Sequence, residues 1–308
     1  MASVTVLLLG PQAWWYRRED IVEVTSSKTV LLSVSYKDFP DGETYVRVPV
    51  DEHEFRGEDV LVVHSLAPPQ DKSLWQLLLI LDALSSLGTR KIAVFIPYMA
   101  YARQDKVFLK GEPVSIRVLM RAIALQGAKV LFTVDIHNPQ TLSEFGGYAE
   151  NLLMYELLKS PIERKAPENL VVIAPDRGAI QRAEALARAL GADFDYLEKL
   201  RDRNTGEISL KPKSLNVRGK TAVIVDDIIS TGGTIARATQ HLLEQGASNV
   251  LVVASHALMV GNAGEKIYNA GARAIYALDT LPPKEGVKYV SCIKSAISKI
   301  KMAGIIDL

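Results

Sequence analysis

Hydrophobic and polar positions along the chain fall into two rhythms. Short unbroken apolar runs come first: VTVLLLG, DVLVVHSL, KIAVFIPY and KVLFTVDIH in the first half, NLVVIAP, TAVIVDD, NVLVVASHAL and RAIYALDT in the second. Runs of this length, rich in Val and Ile and without alternation, predict strands buried on both faces. Between them lie segments with helical spacing, such as SLWQLLLILDALSSLG, SIRVLMRAIALQG, AIQRAEALARALG and TIARATQHLLEQG. Gly88, Gly127, Gly191 and Gly246 stand where each of these helices should stop. Strands alternating with helices predict an α/β architecture, a mainly parallel sheet flanked by helices.

The pattern also repeats. DVLVVHSLAPPQDKSLWQLLLILDALSSLGTRKIAVFIPY and TAVIVDDIISTGGTIARATQHLLEQGASNVLVVASH share one layout of strand, loop, helix, glycine and strand. Two related domains follow, the first over residues 1–145 and completed by the C-terminal segment 286–308, the second over 146–285. Only the second copy carries an acidic pair and glycines in its loop, so the two domains do different jobs.

Composition narrows the class. Of 308 residues, 48% are apolar and 23% charged, and the formal net charge is +1. That balance suits a soluble globular protein and gives no sign of a polyanionic partner, so neither nucleic acid nor membrane is expected. Cys292 is the single cysteine, which excludes an intrachain disulfide and a Cys-based zinc cluster and fits a reducing, cytoplasmic setting. The N-terminal apolar run has no basic flank before it and reads as a first buried strand.

Chemistry enters with TAVIVDDIISTGGTI (221–235). An apolar strand ends in Asp226 and Asp227, and hydroxyls and glycines lead into a helix. Amides from Ser230 to Thr234 can point at a phosphate. Gly232 and Gly233 let the backbone approach it, and Ser230, Thr231 and Thr234 add hydroxyl donors. Carboxylates would repel that phosphate, so they suit neighbouring hydroxyls of a sugar, either directly or through a divalent cation. A sugar phosphate is the ligand this predicts. The loop is not a P-loop, because no lysine follows the glycines.

VDDIISTGGTI resembles the ribose 5-phosphate loop shared by phosphoribosyltransferases and phosphoribosyl pyrophosphate (PRPP) synthetases. The rest of the chain bears on the choice between them. FPDGETYVRV sets Phe39 beside Asp41 and Glu43, an aromatic to stack on a base and acids to accept from its amine, although a DG turn by itself reads as a hairpin. PYMAYARQDK reads as an apolar strand ending in Arg103 and Gln104, which suit a nucleotide's phosphates and base. FTVDIHNPQ puts Asp135 and His137 two apart at a strand end and hence on one face, where an imidazole can ligate a metal or contact a phosphate. His53, His64, His241 and His256 lack such a setting and read as structural. NLVVIAPDRGAIQRA repeats the strand, acid, glycine and helix device at Asp176.

FPDGE, YARQD, VDIH, APDRG, LEKLR and VDDIISTGGT stand in the order of the ribose-phosphate pyrophosphokinase (PRPP synthetase) family, and the chain resembles it along nearly its whole length. The resemblance implies a type I phosphoribosyltransferase-like fold in two tandem domains. It also implies transfer of the diphosphoryl group of Mg-ATP to the C1 hydroxyl of ribose 5-phosphate, giving PRPP and AMP. Carried onto this sequence, Phe39, Asp41, Gly42, Glu43, Arg103, Gln104 and His137 bind ATP, and His137 and Asp176 position Mg2+. Asp176, Arg177, Gly178 and Ala179 form the diphosphate loop. Asp226, Asp227, Ser230, Thr231, Gly232, Gly233 and Thr234 hold ribose 5-phosphate. Lys199 and Arg201, in YLEKLRDRNTGE, match the catalytic cations, Arg201 also reaching ribose 5-phosphate. A homo-oligomer built on a dimer, with the FPDGE loop shared between subunits, is implied too. Ser230 stands where many members have a third acid, and Arg177 and Ala179 replace smaller or glycine residues common in the diphosphate loop. The rivals are a PRPP-using phosphoribosyltransferase and a catalytically silent PRPP-binding regulatory subunit.

Overall fold

The computed structural model describes residues 5–166, 168–201, 208–210 and 215–308, with only the backbone described for 199–201 and 208–210. Two compact units emerge, Met1–Leu153 with Ile293–Leu308, and Met154–Cys292.

The first unit is built on strands β1 (Thr5–Leu9), β2 (Thr29–Ser33), β5 (Asp59–Val63), β6 (Lys91–Ile96), β7 (Ala128–Val134) and β8 (Tyr148–Leu152), with β3 (Ser35–Asp38) and β4 (Thr44–Arg47) forming a separate hairpin. Its six-stranded sheet runs β2-β1-β5-β6-β7-β8, every pairing parallel. The helices are α1 (Arg18–Val22), α2 (Gln70–Ser86) and α3 (Ser115–Leu125), joined by the C-terminal helix Ile293–Met302. That last helix buries Ile293, Ala296, Ile297 and Ile300 and makes an ion pair from Lys294 to Glu23 just past α1. β8 pairs with β7 over five registered residues, Val130–Tyr148 to Val134–Leu152, which carries the first unit to Leu153.

The second unit holds α4 (Lys159–Lys165), β9 (Leu170–Ala174), α5 (Ile180–Leu190), β10 (Asp193–Tyr196), a hairpin of β11 (Lys199–Arg201) and β12 (Ile208–Leu210), β13 (Thr221–Ile229), α6 (Gly233–Glu244), β14 (Asn249–Ala257), α7 (Ala263–Asn269), β15 (Ala274–Leu278) and β16 (Val287–Val290). Its sheet runs β10-β9-β13-β14-β15-β16 and is also parallel.

Counted within each unit, both sheets have the order 2-1-3-4-5-6, and both insert a two-stranded hairpin after the second strand. The repeat read in the sequence is therefore a repeat of the whole topology. All eight apolar runs lie in these sheets, and β1, β5, β13 and β14 are buried almost throughout. Parallel strands need both faces covered, which is why these runs show no alternation. Gly88, Gly127, Gly191 and Gly246 follow their helices with φ of +74°, +102°, +65° and +92°, the left-handed turn that ends a helix. Among the described residues no helix is long and apolar enough to cross a membrane.

Candidate functional site

In an open parallel sheet the loops at the carboxyl ends of the strands face the ligand. Each unit brings its motifs to that edge.

In the first unit FPDGE is the tip of the β3–β4 hairpin. Phe39 and Glu43 close it with a backbone bond of 2.7 Å, Gly42 takes φ +93°, and the Asp41 carboxylate accepts from the Glu43 amide at 3.2 Å. Phe39 stands 41% exposed, edge-on to Tyr45 with ring centroids 6.1 Å apart, and Lys37 Nζ lies over both rings. The hairpin is tied to α2 by Lys72 donating to Asp38 at 2.5 Å and Gln76 to Thr44 at 3.3 Å.

Two expectations are corrected here. β6 ends at Ile96, before Pro97, so Arg103 and Gln104 belong to a turn and not to the strand end. Proline has no amide to extend the ladder, and Tyr101 then adopts φ +62°. Asp135 and His137 do not share a face either. β7 stops at Val134, Asp135 takes φ +38°, and the two-residue alternation is lost, leaving Asp135 buried and His137 exposed. The two loops nevertheless meet, because Asn138 donates to the Asp105 carboxylate at 2.6 Å. Arg103 is exposed, while Gln104 is partly covered and accepts from Ser115.

In the second unit β9 and β13 are neighbours, so the loops after Asp176 and after Asp227 leave the sheet side by side. Asp176 caps the short helix Arg177–Ala179, its Oδ1 accepting from the Gly178 amide at 2.9 Å. A Cβ on Gly178 would sit 3.1 Å from that oxygen, so glycine leaves the carboxylate its room.

The acidic pair is also corrected. β13 does not end at the acids but runs on to Ile229, paired with β14, whereas its pairing with β9 stops at Ile224. Asp226 and Asp227 therefore sit inside a strand with one edge opened by the end of β9. Asp226 accepts from the Asp227 amide at 3.0 Å. Burial, then the neighbouring Asp227 carboxylate and the Asp176 charge, holds the Asp226 carboxyl well above the usual range, while Arg182 opposes them.

Beyond the strand, Ser230 O accepts from Val260 N at 2.9 Å and Gly232 takes φ +77°. A Cβ on Gly232 would lie 2.9 Å from Ala263 O, so the position demands glycine twice over. Gly232 stands at the N-cap of α6, and no side chain caps that helix start. An uncapped helix N-terminus offers its first amides and its dipole to an anion. Gly233 and Thr234 open the helix, with Thr231 exposed beside them.

Lys199 and Arg201 lie on β11, paired to Leu210 and Ile208 of β12. Their side chains, and residues 202–207 of the same segment (DRNTGE), lie outside what is described.

Sequence reasoning assigned no role to Arg182. This residue is 9% exposed on α5, where Ala183, Leu186 and Ala187 are also buried. Its Nη2 lies 3.6 Å from Asp227 Oδ2, and its Nη1 donates to Gly178 O at 3.3 Å. It thus bridges the loop after Asp176 and the acidic pair. The signal was an arginine four residues before Leu186, on the apolar face of AIQRAEALARALG.

No group of three or more His, Cys, Asp or Glu side chains suited to a metal occurs among the described residues. Mg2+ is usually held by one or two carboxylates together with substrate phosphates, and a carboxylate such as that of Asp176 is a donor of the right kind.

Two tandem phosphoribosyltransferase-like domains, the second with an acid pair beside an uncapped helix, define the class of the molecule. Residues 18–127 match the N-terminal domain of ribose phosphate pyrophosphokinase, and 148–275 match the phosphoribosyl transferase domain. A ribose-phosphate pyrophosphokinase of Sulfurisphaera tokodaii is 43% identical over 270 residues, covering 87% of this chain and 91% of that one. One from Aeropyrum pernix is 44% identical over 263 residues, 84% of each. The crystal structure of phosphoribosylpyrophosphate synthetase from Mycobacterium smegmatis superposes with a TM-score of 0.86 at 28% identity, covering 98% of this chain and 99% of that one. The chain belongs to the ribose-phosphate pyrophosphokinase family.

Proposed function

We propose that this enzyme transfers the diphosphoryl group of Mg-ATP intact to the C1 hydroxyl of ribose 5-phosphate. The C1 oxygen bonds to the β-phosphorus, the bond from that phosphorus to the oxygen bridging to the α-phosphate breaks, and AMP leaves. The hydroxyl proton is released, and PRPP is the second product. The observation that carries this reading is the pair of anion loops leaving adjacent strands, Asp176 to Ala179 after β9 and Ser230 to Thr234 after β13. One suits a diphosphoryl group and the other a 5-phosphate, with Asp226 and Asp227 facing the ribose hydroxyls.

The first unit is the ATP side. Phe39 offers a ring for the base, Asp41 and Glu43 accept from its amine, Gly42 shapes the turn, and Arg103, Gln104 and His137 contact the nucleotide. The Asp105–Asn138 bond supports this by gathering the last two motifs. Of the residues that would hold Mg2+, His137 stands in the first unit and Asp176 in the second, and the ion when bound would neutralise phosphate charge. Lys199 and Arg201 bring cations to the transferred group, since phosphoryl-type transfer is mostly positioning and charge neutralisation. The enzyme works in the cytoplasm as a homo-oligomer built on a dimer, with the hairpin tip of one subunit completing the ATP site of its neighbour.

The test is AMP release from Mg-ATP, followed with and without ribose 5-phosphate. AMP formed only with the sugar phosphate, and lost in Lys199→Ala, supports the reading. Intact ATP in both cases, with PRPP consumed when a nucleobase is offered, would replace it with a phosphoribosyltransferase.

A further inference from the structure

We infer that Arg177, Tyr196 and Glu198 form a positioning clamp that holds the start of β11, and with it Lys199 and Arg201, in register with the diphosphate loop. This rests on the transfer reaction proposed above. Arg177 Nη2 donates to Glu198 Oε1 at 3.0 Å, and its guanidinium lies over the Tyr196 ring, Cζ 5.7 Å from the centroid. The Tyr196 hydroxyl donates to the same Glu198 oxygen at 3.4 Å. One carboxylate oxygen therefore gathers a donor from each side.

The positions of these residues in the chain give the cluster its meaning. Arg177 directly follows Asp176 in the diphosphate loop, and Glu198 directly precedes Lys199. β9 and β10 are parallel neighbours with Tyr196 opposite Ala174, so the two loops leave one edge of the sheet together. The clamp is the side-chain link between a loop shaped for the transferred group and the strand that carries the cations proposed to act on it.

The competing view is an ordinary surface ion pair. The Arg177 side chain is 73% exposed and that of Glu198 21% exposed, and a pair so open to water adds only a small amount to stability. The small value makes the test clean, because removing the pair leaves the fold intact. Transfer by positioning is far more sensitive, since a displacement of about 1 Å can cost on the order of 10²-fold in rate. The guanidinium is engaged by Glu198 and lies over Tyr196, so the role inferred for it is geometric.

The experiment compares wild type with Arg177→Ala, Glu198→Gln and the exchange Arg177→Glu with Glu198→Arg, in steady-state assays varying ATP and ribose 5-phosphate. Hydrogen exchange at the amides of 197–199 is measured on the same proteins. Each single variant should lower kcat about threefold to fivefold, leave KM for ribose 5-phosphate within about twofold, and speed exchange at 197–199, and the exchange pair should recover part of kcat. Unchanged kcat and unchanged exchange would overturn the clamp. So would a loss confined to KM for ATP in Arg177→Ala with Glu198→Gln behaving as wild type, because that marks Arg177 as a phosphate ligand. If wild type itself released no AMP, the reaction proposed above would fail, and the exchange rates would still decide whether the clamp holds β11.

Discussion

Arg182 Nη2 lies 3.6 Å from Asp227 Oδ2, and the two side chains are 11% and 7% exposed. Three carboxylates, Asp176, Asp226 and Asp227, crowd this end of the sheet, and the Arg182 charge is the one that favours ionisation of Asp226. Removing one partner of a buried pair strands the other charge, at a cost of about 3–5 kcal/mol. Arg182→Met should therefore lower the denaturation midpoint markedly and raise KM for ribose 5-phosphate. Arg182→Lys keeps the charge but loses the forked geometry that also reaches Gly178 O, so its loss should be smaller. Urea titration of both variants beside their kinetics checks the order.

Asp226 should behave in the opposite way. Its folded-state affinity for a proton is raised, chiefly by burial and then by Asp227. A raised carboxyl stabilises the fold below its unfolded pKa and loses that contribution as pH rises through the folded value. At neutral pH the buried group therefore lowers the stability of the fold relative to the unfolded chain, where the carboxyl ionises freely. Asp226→Asn should melt higher than wild type near pH 7.5, with the gap closing in acid, while losing most activity. A lower melting temperature across the whole pH range would contradict this.

Gly232 at φ +77°, with a Cβ position 2.9 Å from Ala263 O, joins the loop after β13 to α6. The left-handed conformation alone costs a non-glycine residue about 1–2 kcal/mol. Gly232→Ala should cost at least that in stability and raise KM for ribose 5-phosphate more than KM for ATP. Kinetics with each substrate varied in turn would show the difference.

His64 in the first unit is fully buried, with Nε2 2.9 Å from Ser73 O and Nδ1 accepting from the Gln12 amide at 3.4 Å. A carbonyl only accepts, so the ring is neutral with its proton on Nε2. Burial pushes its pKa down from 6.5 to about 4. The unfolded chain then binds the extra proton first as pH falls. Stability is full above pH 6.5 and declines through the window down to pH 4, by about 3 kcal/mol in all. Denaturation of wild type and His64→Gln at pH 7 and pH 4.5 should show wild type losing more between the two.

The sequence showed the interior well and the margins poorly, for a physical reason. Central strands such as β5 and β14 must be apolar on both faces, so DVLVV and NVLVVASHA stand out. The edge strands β8 (YAENL) and β10 (DFDY) are half open to water and carry no unbroken run. Gly232 was legible because few other residues fit its positive φ. Arg182 and Glu198 were not, because their meaning lies in partners 45 and 21 residues away, Asp227 and Arg177. Strand alternation misled at Asp135, where a single positive φ turned the chain out of the pattern.

The most direct measurement is 31P NMR of the purified protein with Mg-ATP and ribose 5-phosphate. The account predicts that ATP signals give way to AMP and to a diphosphate attached at C1 of the sugar, with no ADP or free phosphate as first products. Both new species should be missing without the sugar phosphate and in Lys199→Ala. ADP appearing with a single phosphate on the sugar, or ATP persisting unchanged while added PRPP binds, would contradict the transfer of an intact diphosphoryl group.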